Sequence, residues 1–279
     1  MIIKNNLEIE GSAGKPIRFD VNMPNDNHNM PLVIFSHGFK GFKDWGHYHI
    51  VAQHFAQSKC IFVKHNFSHN GISSHSLDQF DELDAFSENS LSFELNDLDL
   101  LLTHLLQHSE WKNRIDQNKI CLLGHSKGGA ISILKAAHDH RIKKIITWAS
   151  LFDFNRHISK EMLKAWKETG VIYFENTRTK QMMPIRYQVY EDYLRHHKIY
   201  HVPSMASNIT IPHLIIHGTN DLSIPVAQAQ ELNAHSKFSK MLIIEGADHS
   251  FNIAHPFTNG KISDESIKAI EASIRFVHS

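Results

Sequence analysis

The chain has 279 residues, which fits one large domain or two small ones and is enough to bury a substantial core. Its composition, 42% hydrophobic and 21% charged, is that of an ordinary globular protein, and 29 basic side chains balance 29 acidic ones. That balance removes the electrostatic reason to expect nucleic acid or an anionic membrane as partner. The N-terminal stretch lacks the basic region and apolar run of a signal peptide, and no apolar run approaches the roughly 18 residues of a membrane span. Cys60 and Cys121 fall in apolar segments and read as buried free thiols rather than a disulfide, so the expected setting is cytoplasmic.

In chain order the pattern is strand, helix, strand, helix. Segment 16–22 alternates as an early antiparallel strand, and 31–36 is a continuous apolar run suited to a strand buried on both faces. A helix is expected over 46–57 and a strand over 60–65; Leu91, Leu95, Leu98, Leu102 and Leu105 then recur at helical spacing. Strand 119–123, helix 127–138 and strand 144–149 follow. After residue 204 come strand 211–216, a helix near 225–236, strand 241–245 and a last helix bearing Ile267, Ile270, Ile274 and Val277. Such alternation predicts an α/β fold: a mostly parallel central sheet of about eight strands with helices on both faces. Residues 152–204 break the rhythm with an amphipathic helix near 159–168 and a hairpin pairing 171–174 with 185–190, its turn at 176–180. They read as an insertion, a small helix-plus-hairpin lid, in a core made of 1–151 and 205–279.

The strongest chemical signal is Gly124-His125-Ser126-Lys127-Gly128-Gly129, between the strand ending KICLL and the helix AISILKAAH. A Gly-x-Ser-x-Gly turn in that context strains the serine backbone and lifts its oxygen above the sheet edge, at a helix N-terminus that favours negative charge. The glycines two positions away leave room for it. The Gly-x-x-x-x-Gly-Lys-Ser order of a phosphate-binding loop is absent. Serine needs a base, and in this fold acid and base follow it. Asp221 arrives after the strand end and turn His217-Gly218-Thr219-Asn220, with Asp153 as the rival acid. His249 follows strand 241–245 and the turn Gly246-Ala247, with Asp248 beside it as a turn residue. Strand 31–36 runs into His37-Gly38-Phe39, so the backbone N–H groups of Phe39 and Lys127 are the expected oxyanion hole. The chain has 23 histidines, with pairs such as His47/His49, His138/His140 and His196/His197. A metal reading of them fails for want of a His-Glu-x-x-His run or zinc-finger spacing.

Taken in order, HGF, GHSKGG, GTND and GADHSF resemble the α/β-hydrolase superfamily, and within it the small esterases related to cinnamoyl and feruloyl esterases and the dienelactone-hydrolase and acyl-peptidase-like groups. The resemblance covers nearly the whole chain. It implies Ser126 as nucleophile, Asp221 as acid, His249 as base, and a lid at the place of residues 152–204. Dienelactone hydrolases proper carry cysteine where this chain has serine.

The expected reaction is hydrolysis of a carboxylic ester through an acyl-enzyme, with a peptidase, amidase or thioesterase on the same residues as alternatives and a non-catalytic binding protein as the reading of another class. Trp166, Tyr173 and Phe174 are candidates for an apolar substrate pocket. Lys40 and Lys127 either meet an acidic substrate group or lie in solvent. No metal or organic cofactor is implied. The expected partner is a small-molecule ester, with no nucleic acid or membrane, for a monomer or homodimer.

Overall fold

Successive residues of a strand face opposite sides of the sheet, and the central strands use this to build two cores. In β3 (Met30–Ser36) all seven residues are buried; Leu32 and Ile34 join one apolar cluster while Val33 and Phe35 join the other. The same division holds in β5 (Ile115–His125), where Ile120 and Leu122 face one way and Cys121 and Leu123 the other. One cluster takes in α3 (Leu91–Gln107), α4 (Lys127–His138), α7 (Val202–Asn208) and α8 (Val226–His235); the other takes in α1 (Tyr48–Gln57) and α9 (Asp264–His278). The sheet is thus the middle layer of a three-layer sandwich. This computed structural model describes every residue except 26, 27, 77, 156, 157 and 259.

The other sheet strands are β1 (Ile2–Glu10), β2 (Pro16–Met23), β4 (Ile61–Asn66), β6 (Lys144–Trp148), β9 (His213–Gly218) and β10 (Ser239–Ile244), in the order β1-β2-β4-β3-β5-β6-β9-β10. The pairs β1/β2 and β2/β4 are antiparallel and the remainder are parallel, as the alternating pattern predicts. The order reverses at β3, between β4 and β5. The crevice beyond the C-terminal strand ends at such a switch point is where open α/β sheets bind ligands. Helix caps mark the boundaries: the Ser90 hydroxyl accepts from the Phe93 N–H at the start of α3, and Ser263 does the same for Ser266 at α9.

Between β6 and β9 lie α5 (Lys160–Thr169), the hairpin of β7 (Val171–Glu175) and β8 (Met182–Arg186), and α6 (Tyr187–Arg195), with α7 leading back to the sheet. The hairpin differs from its expected form. Its second strand is 182–186, and Tyr187–Arg195 is helical. Ile185, Tyr187 and Val189 alternate as a strand would, but Tyr187, Tyr190 and Tyr193 recur at helical spacing, each packing against the next, and Tyr187 and Tyr190 pack against Trp166. The short helix α2 (Leu83–Ser87) presents Phe86 to a third cluster, with Phe42, Phe80 and the fully buried Met183 of β8. The insertion is also tied to the N-terminus of α3, where the Ser92 hydroxyl donates to Asp192 at 2.5 Å. Among the described residues no helix is long and apolar enough to cross a membrane.

Candidate active site

Four loops leave the C-terminal ends of β3, β5, β9 and β10, and each carries one part of the site. After β5, Ser126 adopts φ 56° and ψ −120°, a strained conformation for a residue with a side chain. Its backbone is held on both sides: its N–H donates to the Trp148 carbonyl at 2.8 Å, and its own carbonyl accepts from Gly129 at 3.0 Å and Leu151 at 3.2 Å. The turn closes so tightly that a Cβ on Gly124 would lie 2.1 Å from the Gly128 carbonyl oxygen, and one on Gly128 would lie 2.2 Å from that of Ser36. Only glycine fits at either position. As the first residue of α4, Lys127 has a backbone N–H with no helical carbonyl before it to accept it.

Asp221 follows β9 and is 5% exposed. Its Oδ1 accepts the N–H groups of Ser223 at 2.9 Å and Ile224 at 2.8 Å. Its Oδ2 accepts the Nδ1–H of His249 at 2.8 Å. Burial acts to raise the Asp221 carboxyl, but hydrogen bonds from His217 and His249 and the charge of the imidazolium outweigh it and hold the group well below the usual carboxylate range. His249 stands on the loop after β10, and its carbonyl accepts the Nε2–H of His125 at 2.8 Å. Burial, with the nearby His249, pushes His125 down to about 3, so it stays neutral. Asp248 caps its own turn, accepting the N–H groups of Ser250 and Asn252. Asp153 accepts the N–H of Asn155 in a loop beyond β6. Of the two candidate acids, Asp221 is therefore the one that meets the histidine.

Ser126 opens into a cavity of about 590 Å³, lined on one side by Phe39, Lys40, Leu91 and Lys127 and on the other by the insertion, through Trp166, Phe174, Ile185, Tyr190 and Tyr193. Ser126 Oγ makes no hydrogen bond to His249 in this conformation, among the described residues; contacts of this kind are often long until substrate is bound. Phe39, 39% exposed, packs edge-on to Phe174 with ring centroids 6.1 Å apart. Tyr173 does not join them. It is 57% exposed, because in β7 adjacent residues face opposite ways and Phe174 takes the inward position.

Both lysines line the cavity, and each has a partner in the structure. Lys127 Nζ lies 2.7 Å from Glu94 Oε2, whose residue is 2% exposed at the start of α3. Burial raises the Glu94 carboxyl, and Lys127 works against that rise. Lys40 donates to the Glu175 carbonyl at 2.9 Å. Glu94 and His217 carry no distinctive signal in the sequence: one is a glutamate in a helical pattern, the other a histidine at the end of an apolar run, in β9.

Several solved structures share this architecture. Est1E from Butyrivibrio proteoclasticus superposes with a TM-score of 0.69 at 17% identity, over 99% of this chain and 98% of that one. The α/β-hydrolase GrgF from Penicillium sp. sh18 gives 0.69 at 17% identity, over 98% of each chain. The esterase domain of a Rhodothermus marinus protein gives 0.65 at 16% identity, over 99% of this chain and 98% of that one. No curated protein matches in sequence at a significant level. At these identities the structures establish the α/β-hydrolase fold. The sequence adds lineage, for residues 83–261, more than half of the chain, match the prolyl oligopeptidase family. This serine hydrolase of the α/β-hydrolase fold thus belongs to the prolyl oligopeptidase family.

Proposed function

We propose that the protein hydrolyses carboxylic esters through an acyl-enzyme, with Ser126 as nucleophile, His249 as base and Asp221 as the acid that orients it. The observation that carries this reading is the strained Ser126, open to the cavity, beside a loop whose His249 donates to the buried Asp221 at 2.8 Å. His249 accepts the Ser126 proton as the hydroxyl oxygen attacks the ester carbonyl, and returns it to the departing alcohol. Water, deprotonated by His249, then attacks the acyl-enzyme and frees the acid and the serine. The backbone N–H groups of Phe39 and Lys127 meet the oxyanion in both steps, each contributing on the order of 3 kcal/mol to the transition state. No metal or organic cofactor enters this scheme.

The cavity supports a neutral, apolar acyl or alkoxy group as the part of the substrate that is recognised. Its walls are mainly aromatic and aliphatic, and the Lys127 ammonium beside Ser126 is paired with Glu94, while Lys40 donates to the Glu175 carbonyl. Residues 152–204 serve in this reading as a lid that shapes the cavity over a core of 1–151 and 205–279.

Hydrolysis of a peptide or amide bond on the same residues is a second reading, favoured by the match to the prolyl oligopeptidase family. A panel of p-nitrophenyl esters of increasing acyl size, run beside peptide p-nitroanilides, separates the two. Turnover confined to esters and rising with apolar acyl size supports the first. Comparable kcat/KM on anilides would overturn it in favour of the second.

A further inference from the structure

The Asp221 carboxylate has a fourth donor, supplied by a histidine that the reaction does not consume. His217 lies in β9, four residues before Asp221, and is fully buried. Its Nε2 is 2.8 Å from the Ile224 carbonyl and 3.2 Å from Asp221 Oδ2. Both neighbours are acceptors, so Nε2 carries the proton and shares it between them. The other ring nitrogen, Nδ1, is buried without a hydrogen-bond partner among the described residues. A proton there would be left unsatisfied at a cost of about 1–3 kcal/mol, which selects the neutral ring protonated at Nε2.

We propose that His217 is a positioning residue: its Nε2–H clasps the Asp221 carboxylate and the Ile224 carbonyl together, holding Oδ2 where it meets His249. The loop is closed from three directions. Ile224 donates its N–H to Asp221 Oδ1, accepts from His217 through its carbonyl, and leaves Oδ2 to the two histidines. This inference rests on the role proposed for Asp221.

The clasp has a chemical consequence besides orientation. A hydrogen bond to the ionised carboxylate lowers its basicity, and so moderates its pull on the proton of His249. Without His217, Oδ2 belongs to His249 alone and the imidazolium becomes a weaker acid. The remaining groups near this pair do not replace the lost donor. His125 is engaged by the His249 carbonyl, and Asp248 by the N–H groups of Ser250 and Asn252.

The test is the pH profile of kcat/KM for a p-nitrophenyl ester, in wild type, His217→Leu and His217→Gln. In the leucine variant the acid limb is expected to move up by about half to one pH unit. Its plateau kcat should fall about tenfold with KM little changed, because His217 does not line the cavity. Glutamine, which keeps a donor at similar reach, is expected to bring the limb back most of the way. A folded leucine variant with the wild-type limb would overturn the proposal. So would a long-range ¹H–¹⁵N spectrum of the wild type showing His217 protonated at Nδ1, a measurement that stands if the variants do not fold. If wild type is not labelled at Ser126 by a fluorophosphonate, the proposed function and this inference fall together. Labelled wild type with an unmoved limb in the variant overturns this inference alone.

Discussion

The sheet and the insertion are built on different physical terms. In the sheet, β3, β4 and β9 are buried at every residue, and the loops after β5 and β9 are fixed by hydrogen bonds to neighbouring strands, from the Ser126 N–H to the Trp148 carbonyl and from the Thr219 N–H to the Ile244 carbonyl. In the insertion, β7 has no buried residue, β8 has one, and α6 has none. Its cohesion comes instead from a ladder of rings running through Trp166, Tyr187, Tyr190 and Tyr193, while Met183 separately anchors the hairpin in the cluster of Phe42, Phe80 and Phe86. A rigid sheet suits groups whose relative positions determine a rate. A thin aromatic layer suits the choice of what reaches them, since its side chains change shape at little cost to the rest of the molecule. On the account proposed here, damage to the core should abolish the reaction or the fold, and damage to the insertion should redistribute substrates.

The largest effect is expected at the nucleophile. Ser126→Ala should lower kcat by on the order of 10⁶, to background, with an unchanged circular dichroism spectrum. Next comes the packing beneath it. Gly128→Ala sets a methyl against the Ser36 carbonyl at 2.2 Å, and is expected to destabilise the fold by about 3 kcal/mol, read as a lower urea midpoint. Trp166→Ala in the insertion should raise KM about tenfold for bulky aryl esters while leaving acetate esters nearly unaffected. An equal loss on all esters would break the contrast between the two regions. The smallest effect is expected from Tyr173→Ala, within about 0.5 kcal/mol in stability and without change in kcat/KM, because the side chain faces solvent.

A pH titration of stability sharpens the same contrast, since the core carries buried histidines. Burial, the largest cause for each, pushes His37 and His47 down to about 4 and His65, His125 and His213 down to about 3, from an ordinary value of 6.5. They are neutral when folded and take up protons on unfolding. Their contribution is therefore complete above pH 6.5 and is lost as pH falls from 6.5 towards 4 and then 3, by up to about 1.4 kcal/mol per histidine and pH unit. Carboxylates held low, such as Asp221 and Asp139, add their own loss only below the ordinary aspartate value of 3.8. Urea midpoints measured from pH 8 to 5 should fall steeply below 6.5, and a flat profile there would contradict the burial of these rings as neutral groups.

The sequence was most legible where chemistry and fold demand the same residues. Gly124 and Gly128 flank Ser126 because no side chain fits there, and Asp221 and His249 follow the apolar runs whose ends bring them together. It was least legible where burial is partial. Strand β1 has a half-exposed pattern broken at Asn6, where φ is 56°, and so lacks the apolar run of a central strand. Ile185, Tyr187 and Val189 alternate as a strand would while Tyr187, Tyr190 and Tyr193 recur at helical spacing, and only the packing against Trp166 decides for the helix. The pairing of Lys127 with Glu94, 33 positions earlier in the chain, leaves no local trace, nor does the hydrogen bond from His125 to the loop of His249.

The most direct test of the central claim is covalent labelling of the folded protein with a fluorophosphonate, read by intact mass and peptide mapping beside Ser126→Ala. The account predicts a single adduct on Ser126 in wild type and none in the variant. An adduct on another residue, or no adduct on well-folded wild type, would contradict it.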